Sequence, residues 1–257
     1  MNDPWKDVLE EIRFAKQAGF EAFELTIEHP NATPDKLRAE KMVGEELAGF
    51  KSLLAHSAWY FSLAHPYPAI RKAFVQETVK AAEAAAELGA RLFTIHIEPF
   101  GFVYREKGRL IPNYFESVGE IATACEASGL VLCVEGFDEL SFPLERFHEL
   151  FSEFPSVRMT FDIGHANLLA PNGEGIFRVM REFKQAIAHV HAHDNRGKTD
   201  DHLPIGAGSI PWQAVLAGLK KFYDGTITIE DHSPDRALAA HSRQKFLALW
   251  RSLNEKF

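Results

Sequence analysis

Short apolar runs alternate with longer amphipathic stretches along the whole chain. The runs Phe20–Ile27, Ser52–His56, Arg91–Ile97, Val131–Glu135, Arg158–Asp162, Ala188–His193 and Thr226–Glu230 predict strands. Most are rich in Val, Ile, Leu and Phe, as expected of parallel strands covered on both faces. Between them, apolar stripes at helical spacing predict helices from about Ala69 to Leu88 and from about Asn113 to Ala127, with Gly89 and Gly129 as stops. Further helices are predicted over Leu144–Phe154, Glu174–Ala188, Pro211–Phe222 and Asp235–Leu253, with Pro211 in a first turn. Strand starts at positions 20, 52, 91, 131, 158, 188 and 226 recur every 27 to 40 residues, the rhythm of βα units. The expected fold is α/β, a TIM-type (β/α) barrel of parallel strands in a single domain over residues 1–257.

The order of elements departs from the closed barrel at one place. A helix of about Trp5 to Ala18 comes first, and seven strands are counted where such a barrel has eight. The first strand is therefore expected to be missing from the N-terminus. Either the sequence begins after it, or the barrel is open there, or a partner chain in a homodimer covers the edge.

Composition narrows the class. The chain has 257 residues, 46% of them hydrophobic and 25% charged, which is ordinary globular usage. No apolar run approaches the ~18 residues of a membrane span. The N-terminus has neither a basic nor an apolar leader region, so a cytoplasmic location is expected, with no membrane contact. Cys125 and Cys133 read as reduced core residues. The net charge of −8 argues against a broad nucleic-acid surface, although bound divalent cations would add positive charge that this count omits.

The chemistry lies at the C-terminal ends of the apolar runs, where barrel active sites are built. His56 ends one run; His96 and Glu98 end the next; Glu135, Asp162 with His165, then His191, His193 and Asp194, and finally Glu230 follow. One such histidine is more often a hydrogen-bonded structural residue than a ligand, but the recurrence on successive strands is not explained that way. Many ionisable groups at one mouth are costly unless compensated, and mixed imidazole and carboxylate donors suit Zn²⁺, Mn²⁺, Fe²⁺ or Co²⁺. A divalent metal is therefore the expected cofactor. His29, His148, His189, His232 and His241 read as incidental, His65 as a loop residue, and Glu24 as either pocket-facing or structural. After His191 comes a polar loop ending in Gly206 and Gly208. Within it, Asp200 and His202 are spaced to point the same way in an extended segment, and Arg196 is a candidate clamp for substrate oxygens.

These pieces together resemble the xylose isomerase-like TIM-barrel superfamily. The resemblance rests on Gly19–Leu25, Ala55–Ser57, His96, Val134–Gly136, Phe161–Asn167, His189–Gly197, Asp200–Gly208 and Ile229–Asp231, and covers nearly the whole chain. In its sugar isomerase and epimerase branches it implies one divalent ion, Mn or Zn, held by Glu135, Asp162, His191 and Glu230. There the two glutamates would exchange the substrate proton as an acid–base pair while the metal polarises neighbouring oxygens and stabilises an enediolate. His165 and Arg196 would bind substrate, a sugar or sugar phosphate. In the endonuclease IV branch nine ligands hold three zinc ions. All nine have counterparts here: His56, His96, Glu135, Asp162, His165, His191, Asp200, His202 and Glu230. That branch implies phosphodiester cleavage at an abasic site. The negative charge, the lack of an evident basic and intercalating loop set, and the Asp200–Gly208 loop favour the sugar branch. A third reading is a barrel that binds metal or sugar without turnover.

Overall fold

The computed structural model describes residues 1–97, 107–136, 142–170 and 172–253, so Glu98 lies outside the described residues. The chain forms two compact units, Met1–Arg158 and Met159–Phe257.

The first unit holds α1 (Val8–Gln17), β1 (Ala22–Ile27), α2 (Pro34–Ala39), α3 (Lys41–Leu47), β2 (Ser52–Ser57), α4 (Pro68–Glu87), β3 (Leu92–His96), α5 (Ile111–Ala127), β4 (Val131–Glu135) and α6 (Leu144–Glu153). Its four strands pair in parallel in chain order. The helix starts carry local signals. Asp7 caps α1 by accepting from the Glu10 amide, worth about 1 kcal/mol, and Pro68 sits in the first turn of α4. Val8, Ile12 and Ala15 bury one stripe of α1, at helical spacing. The core includes an edge-to-face aromatic group in which Phe142 lies 5.4 Å from Tyr114 and 5.0 Å from Phe147, all three buried. Truncating Phe147 to Ala would cost about 3–5 kcal/mol.

The second unit holds β5 (Arg158–Asp162, its first residue closing the first unit), α7 (Ile163–Leu169), α8 (Glu174–Phe183), β6 (Ile187–Ala192), α9 (Trp212–Leu219), β7 (Thr226–Ile229) and α10 (Ala237–Ser252). β6 pairs in parallel with both β5 and β7. Ile176, Val179, Met180 and Phe183 bury one side of α8.

Seven strands are described, as the sequence pattern predicts, and a helix precedes the first of them. Beside β1, the side chain of Asn2 stands in for a neighbouring strand. The Thr26 amide donates to Asn2 Oδ1 at 2.8 Å, and Asn2 Nδ2 donates to the Thr26 carbonyl at 3.3 Å. One side-chain amide thus satisfies both backbone groups of a buried residue. The sequence pattern misses α2, α3 and α7. Helices of six or seven residues complete too few turns for a 3.6-residue period to emerge. Among the described residues no helix is long and apolar enough to cross a membrane.

Candidate metal centre

Strand register fixes which side chains share a face. In the first unit Thr26 pairs with His56, His56 with Thr94 and Thr94 with Cys133, so these four form one row across the sheet. Two residues further along, His96 pairs with Glu135 on the same face. His56 is buried and its Nε2 lies 2.8 Å from Glu135 Oε2; the rings of His56 and His96 are 6.5 Å apart. The tautomers follow from the backbone. His56 Nδ1 lies 2.6 Å from the Ser57 carbonyl and His96 Nδ1 lies 2.8 Å from the Ile97 carbonyl. A carbonyl only accepts, so Nδ1 carries the proton in both rings. Each Nε2 is then the ring nitrogen turned away from the backbone carbonyl, the orientation common among metal-binding histidines.

The second unit repeats the logic. Asp162 pairs with His191 and His191 with Thr228. His193 lies two residues beyond His191, and Glu230 two residues beyond Thr228. His191 Nδ1 is 3.2 Å from Glu230 Oε2 and 3.9 Å from Asp162 Oδ2. Asp162 divides its oxygens. Oδ1 accepts from the His165 amide at 2.6 Å and caps α7, while Oδ2 accepts no hydrogen bond among the described residues although Asp162 is fully buried. A buried carboxylate oxygen left this way fits a bound cation.

Asp200, His165 and His202 form a second group. Asp200 Oδ2 lies 3.1 Å from His165 Nε2 and 3.0 Å from His202 Nε2. His202 Nδ1 faces the Glu230 carbonyl at 3.1 Å, which again directs Nε2 inward. Burial opposes ionisation of Asp200, but the hydrogen bonds from His165 and His202 outweigh it and hold the carboxyl well below the usual range. Burial likewise opposes charge on His202; the hydrogen bond to Asp200 and the charges of Glu230, Asp200 and Asp162 override it and push the ring up to about 9. These carboxylates therefore call for positive charge, which a divalent ion supplies while leaving the imidazoles neutral as ligands.

The sequence pattern marks His193 only as a strand-end residue, and the structure places it in this group. Its Nε2 lies 3.2 Å from Asp162 Oδ1 and 3.6 Å from Asp200 Oδ1, is fully buried, and makes no hydrogen bond among the described residues. Its ring stacks on His202 at 3.9 Å. A Cβ at Gly164 would collide with that ring, so glycine is required there. The signal for His193 was the period-two run His189, His191, His193. His232, read from the sequence as incidental, stacks on the other side of His202 at 3.9 Å with its Nε2 3.8 Å from Glu230 Oε1. His189 has its two ring nitrogens at 2.8 and 3.0 Å from the hydroxyls of Thr226 and Thr228.

Asp194, another strand-end acid, organises the loop rather than the ligand set. Its Oδ1 accepts from the amides of Asn195 (2.9 Å) and Ile210 (3.2 Å), and its Oδ2 from the amide of Gly206 (2.8 Å) and the indole of Trp212 (2.8 Å). Asn195 adds a bond to the Gly164 carbonyl at 2.8 Å. Gly208 has no room for a Cβ, which would strike Asn195 O and Asp194 Oδ1. The segment bearing Asp200 and His202 is thus pinned at both ends. Arg196 is exposed, its guanidinium 3.9 Å from Asp201.

A family model described as Xylose isomerase-like TIM barrel matches residues 12–249. An uncharacterized protein of Methanocaldococcus jannaschii is 33% identical over 170 residues, 63% of this chain and 58% of that protein; the chain thus spans little more than half the length of this curated relative. A crystal structure of a D-tagatose 3-epimerase-like protein is 26% identical and superposes with a TM-score of 0.86 over 98% of this chain and 96% of the other. D-psicose 3-epimerase from Clostridium cellulolyticum H10, solved with D-tagatose, has a TM-score of 0.75 at 17% identity over 97% and 94% of the two chains, a likeness of fold. With ligand-type residues on successive parallel strands and a match across residues 12–249, the chain belongs to the xylose isomerase-like TIM barrel family.

Proposed function

We propose that the protein is a divalent-metal-dependent isomerase or epimerase acting on a sugar or sugar phosphate. The observation that carries this reading is the convergence of Asp162, His191 and Glu230, with a buried Asp162 oxygen that accepts no hydrogen bond among the described residues. The family resemblance adds Glu135 as the fourth ligand. A bound Mn²⁺ or Zn²⁺ would polarise the substrate's adjacent carbonyl and hydroxyl oxygens and stabilise an enediolate. The chain's own groups do the rest. One of Glu135 and Glu230 removes the proton from the carbon beside the carbonyl, and the other returns a proton, to the opposite face for epimerisation. His165 and Arg196 are the proposed substrate-binding groups.

Elemental analysis of the purified protein, paired with a proton-exchange assay in D₂O on D-tagatose, D-psicose and D-fructose, tests the reading. About one divalent metal per chain and deuterium incorporation beside the carbonyl are expected. A metal-loaded chain that exchanges no proton on any ketose or ketose phosphate refutes it.

One observation favours a second reading. His165, His193, Asp200 and His202 offer ligand atoms within 4.8 Å of one another, enough for a further ion. Close to three zincs per chain, with cleavage of abasic-site DNA, would establish the endonuclease IV-type activity instead.

A further inference from the structure

Glu28 has no role in that reaction, yet it follows directly on β1, where Thr26 shares a row with His56. β1 and β2 pair Thr26 with His56 and Ile27 with Ser57. By the two-residue period Glu28 follows Thr26 on the His56 face, one pleat closer to the C-terminal mouth. Glu28 is buried, with 9% of the residue exposed, and its Oε2 has no hydrogen-bond partner among the described residues. The next residues after β2 present aromatic surface. Trp59 is 57% exposed and Tyr60 47% exposed, and their rings meet edge to face at 5.9 Å. Burial raises the Tyr60 hydroxyl, and the nearby Glu28 carboxylate raises it further, so the phenol remains a donor.

We propose that Glu28, Trp59 and Tyr60 form a polyol-binding subsite that holds the part of the substrate remote from the reacting carbons. A carboxylate accepts from two neighbouring hydroxyls, and an aromatic face covers the C–H side of the same sugar. The apolar alternative, a core contact, is excluded by the exposure of both rings. This inference rests on the isomerase or epimerase reading of the site.

The test uses the full, metal-loaded chain, with D-tagatose and D-psicose titrated calorimetrically beside the turnover assay. Glu28→Gln is expected to weaken Kd about tenfold or more through loss of charge-assisted bonds. Trp59→Ala is expected to weaken it about three- to tenfold, and both variants should keep wild-type metal content. Kd within twofold of wild type in both variants overturns the subsite. So does absence of ketose binding by the wild-type chain, or a Trp59→Ala effect confined to oligomeric mass, which would mark a contact between copies. Binding without turnover, with Kd still sensitive to Glu28 and Trp59, refutes the isomerase reading and leaves the subsite standing.

Discussion

Replacing Asp194 tests whether the loop carrying Asp200 and His202 is held by one buried carboxylate. Asp194→Ala removes the acceptor for four donors, the amides of Asn195, Gly206 and Ile210 and the Trp212 indole. Asp194 and Asn195 are fully buried, and Ile210 and Trp212 nearly so, so of the four donors only the amide of the exposed Gly206 regains water without local opening. At about 1.5 kcal/mol for each, the low end for a bond to a charged acceptor, the four bonds together amount to roughly 6 kcal/mol. Local relaxation brings the expected loss to about 3–5 kcal/mol, concentrated in residues 195–210. Asp194→Asn keeps the shape but turns one pair of donors toward an NH₂ group, so about half of that loss is expected. Hydrogen exchange reads the loop directly, urea unfolding reads the total, and metal content reads the consequence for Asp200 and His202. Unchanged exchange across 195–210 in Asp194→Ala, with less than about 1 kcal/mol of lost stability, would show that Asp194 does not hold the loop.

Three further outcomes follow from the same geometry. Glu135→Gln and Glu230→Gln should each lower turnover by about 10²–10⁴-fold with the circular dichroism spectrum unchanged; near-normal activity in either would rule out the two-glutamate mechanism. Gly164→Ala must displace the His193 ring, so metal affinity should fall while Gly44→Ala, whose added Cβ meets only Leu88 at an ordinary 3.7 Å, leaves affinity unaltered; equal affinities in the two variants would contradict the role of His193. Burial pushes the Cys125 thiol up to about 12. It is therefore neutral at pH 8, and a thiol reagent should modify it only after unfolding; rapid labelling of native Cys125 would show that the helix α5 face is open.

Much of the site could be read before the fold was known, because a strand's two-residue period is written in the chain. Thr226, Thr228 and Glu230 alternate with Ile227 and Ile229, and His189, His191 and His193 alternate with Val190 and Ala192. Such alternation assigns the polar set to one face, and residue type alone then indicates cation chemistry. What the period cannot assign is the partner of each polar atom. His189 and His191 occupy the same face, yet Thr226 and Thr228 engage both nitrogens of His189, whereas His191 meets Glu230 and lies near Asp162. Asp194 has the composition of a ligand and the hydrogen bonds of a loop anchor, since its partners Gly206, Ile210 and Trp212 come from 12 to 18 residues away. Glu28 gained meaning only from its place next to the β1–β2 pairing and the exposure of Trp59 and Tyr60. Strand faces and the kinds of donor they carry were legible in the sequence, because both depend on near neighbours in the chain. The tertiary structure alone decided which buried donors and acceptors satisfy one another, because those pairings join residues remote in sequence and each buried polar atom must find its partner where the packed chain supplies one.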